Sequence, residues 1–156
     1  MRKELANLLF EAMDINKDIY LITADLGYGL WDKVRDTFPD RFYNVGSSEM
    51  AMMGMAIGLA MDGKIPFVYS ITPFALYRPF EMIRNYINHE RIPVKILGGG
   101  RGKDYGHLGF SHWAEDDIEI MSSFQNIELY KPTNDLKEIF NYSINNRLPV
   151  YINLSK

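Results

Sequence analysis

From Met50 to Met61 the chain runs twelve residues without a charge, bounded by Glu49 and Asp62. Such a run is too short to cross a bilayer, which takes ~20 apolar residues. It follows a strand-like segment, Arg41-Phe42-Tyr43-Asn44-Val45, and a turn at Gly46, so it reads as a helix entered from a strand. Ser47 or Ser48 can cap its free amides, and Glu49 falls in its first turn. Gly54 and Gly58, four apart, make a smooth strip where another backbone can come close. A helix apolar nearly all round must be covered on more than one side, by a sheet and by a second chain or domain. One carboxylate, Glu49, is left at the mouth of an apolar helix.

The rest of the chain alternates around this segment. Leu5, Leu8, Leu9, Ala12 and Met13 recur at helical spacing. Ile19 to Asp25 is an apolar strand, Trp31 to Phe38 a short helix stopped by Pro39, and Ile65 to Ile71 a third strand. Thr72 to Tyr77 reads as an aromatic loop or loose turn, with a helix from about Arg78 to Asn88. Strands at Val94–Gly99, Ile127–Tyr130 and Pro149–Leu154 follow, with helices at Glu115–Ser122 and Asn134–Asn145. Gly100 to Trp113 has no periodicity. Six alternations with continuous apolar strands predict a single α/β domain over residues 1–156, with a six-stranded, mostly parallel sheet and helices on both faces. Ligands of such sheets sit at the carboxyl ends of strands. The segments after Asp25, Asn44, Ile71 and Gly99 are therefore expected to converge.

Composition narrows the function classes. A net charge of −3 without a Lys/Arg stripe argues against nucleic acid. Cysteine is absent, which removes disulfides and thiolate metal sites. With Met1-Arg2-Lys3-Glu4 lacking an apolar leader, a soluble, cytoplasmic protein is expected.

Taken alone, each candidate residue has a structural reading. Glu49 suits the helix dipole, Phe74 and Tyr77 suit a core, and Asp25 suits a turn. His112 and His107 lie in the glycine-rich stretch, and the spacing of the three histidines and nearby aspartates matches no zinc site. Gly98-Gly99-Gly100-Arg101-Gly102 lacks the register and following helix of a dinucleotide loop. Arg101 and Lys103 could still meet an anionic group of a substrate.

Taken together, the segments resemble a known family. Asn44-Val45-Gly46-x-x-Glu49, Gly54-Met55-Ala56-Ile57-Gly58-Leu59-Ala60 and Gly63-Lys64-Ile65-Pro66-Phe67-Val68-Tyr69 look like the pyrimidine-binding domain of transketolase-type thiamine diphosphate enzymes. Phe74-x-x-x-Arg78-x-Phe80-Glu81-x-Ile83-Arg84, Tyr105-Gly106-x-Leu108-Gly109-x-Ser111-His112 and Glu115-Asp116 resemble it too. Ser47, Ser48 and Met50 depart from the residues usual around the glutamate. The resemblance implies that Glu49 hydrogen-bonds N1′ of the cofactor's aminopyrimidine and favours its imino form. That role needs a carboxyl that shares a proton, which burial promotes and the helix dipole opposes. It further implies that Phe74, helped by Tyr77, stacks on the pyrimidine, that Asp25 lies near the cofactor, and that His112 faces the reacting carbon with His107 as a second candidate. The role of Arg78 stays open.

The family's diphosphate-binding domain, with its Gly-Asp-Gly magnesium motif, is not within these residues. The expectation is a free-standing subunit of a split, transketolase-like transferase of carbohydrate metabolism. A separate chain would bind the diphosphate and magnesium, with two copies of each chain in a heterotetramer. The expected reaction moves a two-carbon ketol unit from a ketose or 2-oxoacid to an aldehyde. The alternatives are a subunit of a 2-oxoacid decarboxylase or dehydrogenase, or a non-catalytic nucleotide-binding module built on Gly98–Gly102.

Overall fold

The apolar runs that suggested buried strands all enter one sheet. The computed structural model describes residues 1–156. Its strands are β1 (Ile19–Thr23), β2 (Phe42–Asn44), β3 (Ile65–Ile71), β4 (Lys95–Gly99), β5 (Glu128–Tyr130) and β6 (Val150–Leu154). They stand in the order β2-β1-β3-β4-β6-β5, and every pairing is parallel. The sheet is thus wholly parallel, with β4 and β6 buried along their full length. A parallel sheet needs a crossover between neighbours, and the helices supply it.

Those helices form two layers. On one face α1 (Arg2–Ile15), α2 (Asp32–Thr37) and α7 (Leu136–Asn145) close over Leu9, Trp31, Phe67 and Phe140. On the other, α3 (Glu49–Met61), α4 (Thr72–Tyr77) and α6 (Asp117–Ser122) close over Met52, Met53, Leu76 and Met121. No helix is long and apolar enough to cross a membrane.

Several local expectations change. Ser48 takes the N-cap position of α3, but no side chain caps that helix; Ser47 Oγ instead donates to Asp25 Oδ2 at 3.3 Å. Within the chain no backbone lies on the Gly54–Gly58 strip. A Cβ on Gly54 would meet the Met82 methyl at 3.4 Å, and at Gly58 nothing within 4 Å. The second cover expected for α3 is therefore not supplied by this chain, and Met50, Met55 and Met61 on it are 46%, 39% and 73% exposed. Thr72–Tyr77 is a helix rather than a loop, because Pro73 in its first turn has a φ already set for helix. Pro79 does stand at the start of the next helix, as its N-cap, but that helix is a short α5 (Phe80–Met82) that runs into a π-helix, Ile83–His89. The stretch expected to be featureless holds two 3₁₀ turns, Gly106–Leu108 and Phe110–His112, closed by an antiparallel bridge from Gly102 to Ala114.

One buried charge belongs to the scaffold. Lys95 at the start of β4 is 1% exposed, and its Nζ donates to the carbonyls of Leu148 (2.5 Å) and Asn146 (3.2 Å). Burial pushes its ammonium down to about 8.

Candidate active site

The loops at the carboxyl ends of β1, β2, β3 and β4 meet as the alternation predicted. Gly98 makes one of these meetings possible: a Cβ there would stand 2.7 Å from Thr72 Oγ1 and 2.9 Å from Tyr151. Without it, Thr72 Oγ1 donates to the Gly100 carbonyl at 2.8 Å, which docks the start of α4 on the end of β4. The turns after β1 and β2 are joined by Asn44, whose Oδ1 accepts from the amides of Asp25 (2.9 Å) and Gly46 (3.1 Å).

The densest chemistry lies between α3 and α4. Glu49, the first residue of α3, is 3% exposed. Both of its carboxylate oxygens accept from Arg78 Nη1, at 2.8 and 2.9 Å. The Arg78 side chain is 48% exposed, and its Cζ lies 3.8 Å from the centroid of the Phe74 ring. On that ring the imidazole of His112 also packs, with centroids 4.9 Å apart and planes at 66°. His112 Nδ1 is 3.0 Å from Ser111 Oγ. The structure thus brings Glu49, Phe74 and His112 of the expected set together, with Arg78 between the first two. A buried carboxylate and an aromatic face hold a flat cation that presents N–H groups.

Tyr77, one turn from this group, donates to Asp116 Oδ1 at 2.5 Å. Burial first, and then the Asp116 carboxylate, push its hydroxyl well above the usual range. Behind it Asp117, also 3% exposed, accepts on Oδ2 from Tyr151 and from Asn153 Nδ2, each at 2.5 Å. Burial, with the Asp117 charge second, raises the Tyr151 hydroxyl too. This network holds α6 to β6 and thereby fixes Asp116 under Tyr77.

Three candidates share no hydrogen bond with the group. Asp25 has φ 54°, a left-handed conformation that aspartate tolerates better than most residues. Its carboxylate accepts from Tyr28 and Ser47, and no hydrogen bond links it to Glu49, Phe74 or His112. His107 is exposed in the first 3₁₀ turn. Arg101, expected to face a substrate, is turned into the fold: its guanidinium donates to the carbonyls of Asn153 (2.7 Å) and Pro132 (2.6 Å) and to Asn153 Oδ1 (2.7 Å). These contacts satisfy carbonyls that would otherwise lack donors. The cleft beside the Tyr28 turn, lined by Arg2, Lys3 and Lys156, contains none of the expected residues.

Arg78 and the Asp117 network are the functional features that sequence reasoning did not assign. Arg78 had a legible signal: it follows Phe74 by four residues, which on a helix places the two side chains on one face. Reading Thr72–Tyr77 as a loop hid that spacing.

The family profile for "Transketolase, pyrimidine binding domain" matches residues 1–156. The chain is 38% identical over 119 residues to one of the subunits of the apulose-4-phosphate transketolase of Actinobacillus succinogenes, covering 75% of this chain and 38% of that protein. It is 30% identical to a 6-deoxy-6-sulfo-D-fructose transketolase subunit of a Clostridium species, covering 99% of this chain and 49% of the other. Among solved structures, a split gene transketolase described as an inactive β4 tetramer superposes with a TM-score of 0.83 at 33% identity, over 96% of this chain and 49% of that one. The chain therefore spans half or less of the length of these relatives.

Proposed function

The chain belongs to the transketolase pyrimidine-binding family, and from that premise we propose that it supplies the pyrimidine half of a thiamine diphosphate site. The observation that carries this reading is the Glu49–Phe74 pair: a nearly buried carboxylate and an aromatic face that together hold a flat, N–H-bearing group. An aminopyrimidine whose ring nitrogen carries the proton presents the same flat face and N–H, so this acceptor and aromatic platform fit the cofactor. When bound, thiamine diphosphate supplies an acidic C2 carbon and an electron sink for carbon–carbon bond cleavage.

Each residue then has a definable task. Glu49 would give a proton up to the ring nitrogen that faces it and then accept the hydrogen bond from that N–H, which favours the imino form. Phe74 keeps the heterocycle flat and excludes water from one side. Tyr77, fixed by Asp116, limits how the ring slides. His112 has Nδ1 engaged by Ser111, which leaves Nε2 to give or take a proton at a substrate oxygen. The reaction we propose is transfer of a two-carbon ketol unit from a ketose or 2-oxoacid donor to an aldehyde. The relatives named as transketolase subunits support transfer over simple decarboxylation.

The diphosphate needs a cation, and this sequence, with net charge −3, contains no Gly-Asp-Gly magnesium motif. We assign that task to a separate diphosphate-binding chain carrying magnesium, in an assembly with two copies of each chain. The uncovered apolar side of α3, with Met50, Met55 and Met61 exposed, supports a protein neighbour at the site. The solved β4 relative described as inactive supports the need for a second kind of chain. The decisive test is C2 hydrogen–deuterium exchange of the cofactor bound to the assembled complex. Glu49→Gln should slow it by about 10²–10⁴-fold, the usual range for a lost acid–base group, and exchange at the wild-type rate overturns the assignment.

A further inference from the structure

We infer that Arg78 is a resident competitor for the pyrimidine site, a side chain that must leave Glu49 and Phe74 before the cofactor can dock. The inference rests on the reading of Glu49 and Phe74 given above. It starts from where the guanidinium lies: within 3.8 Å of the Phe74 ring centroid, with one nitrogen bridging both oxygens of Glu49. A flat heterocycle cannot lie on that ring face and against that carboxylate while Arg78 is there. The match is chemical as well as steric. A guanidinium is planar, delocalised and rich in N–H donors, and the single nitrogen it sets against the Glu49 carboxylate stands where the ring N–H of the cofactor's imino form would lie.

Two other arginines, Arg41 and Arg101, show what a guanidinium that ties the fold together looks like here. Arg41 donates to the carbonyls of Met13, Asn16 and Ile19, and Arg101 to those of Asn153 and Pro132. Both lock backbone groups together. Arg78 donates to no carbonyl; its hydrogen bonds are to Glu49. It stands between α4 and Pro79, where the helix ends. With 48% of its side chain exposed, release means moving into water it already half faces. Only the arginine end of this pair faces water, so the side chain that has to move is the one already half solvated, which suits a reversible occupant. Protected in this way, Glu49 is not left as an unpaired buried charge before the cofactor arrives.

An occupant present nine-tenths of the time weakens an apparent dissociation constant about tenfold. The test uses the chain assembled with its diphosphate-binding partner, with thiamine diphosphate and magnesium as the probe. Arg78→Met should tighten cofactor binding about threefold to tenfold and raise the association rate. Methylguanidinium at millimolar concentration should then compete with the cofactor in Arg78→Met and not in the wild type. Because the Met variant leaves Glu49 without a partner and could fold poorly, Arg78→Gln, which keeps a neutral planar donor, should show the same tightening to a smaller degree. Weaker or unchanged cofactor binding in folded variants overturns the inference and makes Arg78 a support for Glu49. Failure of the wild type and both variants to bind any cofactor overturns the pyrimidine-site reading itself, and the two failures are thereby told apart.

Discussion

Glu49 and Asp117 are equally buried, at 3% exposure each, yet their replacement should have opposite consequences for stability. Removing a carboxylate from water costs several kcal/mol after relaxation. For Glu49 the compensation is thin: one nitrogen of a half-exposed arginine, worth about 1 kcal/mol or less once solvent screening is counted, and the N-terminus of α3, worth about 0.3–1 kcal/mol. Glu49→Gln keeps the shape and one acceptor for Arg78 while removing the buried charge. It should leave the fold as stable as before or gain about 1 kcal/mol, a rise in Tm of ~2–4 °C for a chain of this size. Asp117 sits in a closed network, accepting from buried Tyr151 and Asn153. Asp117→Leu strands two buried donors at about 1–3 kcal/mol each, so a loss of ~2–5 kcal/mol is expected. Urea denaturation of both variants at one fixed protein concentration measures the contrast, since self-association would otherwise shift the midpoint. A loss of 1 kcal/mol or more in Glu49→Gln would refute the reasoning, because Glu49 and Arg78 would then be a pair that the fold needs.

Phe74→Ala should weaken cofactor binding to the assembled complex by about 1–3 kcal/mol through lost stacking and burial; an unchanged dissociation constant by calorimetry makes Phe74 a packing residue only. His112→Ala should lower turnover while C2 exchange stays near normal, whereas a joint loss of exchange would assign the histidine to the scaffold. Lys95, held at about 8 in the fold against 10.5 for the ordinary group, binds fewer protons folded than unfolded between those values, so stability should rise with pH through that window. Lys95→Met should lack the rise, and parallel Tm profiles for the two proteins would show that its carbonyl partners offset burial. The chain purified alone should show no measurable thiamine diphosphate binding in magnesium, and micromolar affinity for the lone chain contradicts the two-chain reading.

How far the residues announced this arrangement depends on which physical signal was present. The continuous apolar runs at Ile19, Ile65, Val94 and Pro149 encode burial on both faces, and burial on both faces is what a parallel sheet requires. Strand boundaries therefore came within two residues of the observed ones. The helices around Pro73 and Pro79 were less legible. A proline can open a helix or end one: Pro79 stands at the start of the next helix as its position suggested, whereas Pro73 opens α4 where a loop or loose turn was expected. That single ambiguity concealed the face shared by Phe74 and Arg78. Arg101 was misplaced for a different reason: an arginine beside four glycines looks solvent-facing, and only tertiary contacts reveal the carbonyls of Asn153 and Pro132 that claim it.

Glu49 is a buried carboxylate whose one cation, Arg78, is half exposed and meets it through a single nitrogen, on the one helix in which every other residue is apolar. Asp117, equally buried, is instead held inside the fold by neutral, buried donors, Tyr151 and Asn153. Local inconsistency of that kind marks function when a matched, consistent counterpart lies nearby. Helix α3 departs from consistency twice, in its thinly paired carboxylate and in its uncovered methionines. On the proposed reading, a cofactor shared with a second chain would relieve both at once, the ring taking up the carboxylate and the partner covering the apolar side. An assembly that satisfied only one of them would leave either a buried charge or an exposed apolar face, which is why binding of the cofactor and binding of the partner should be coupled.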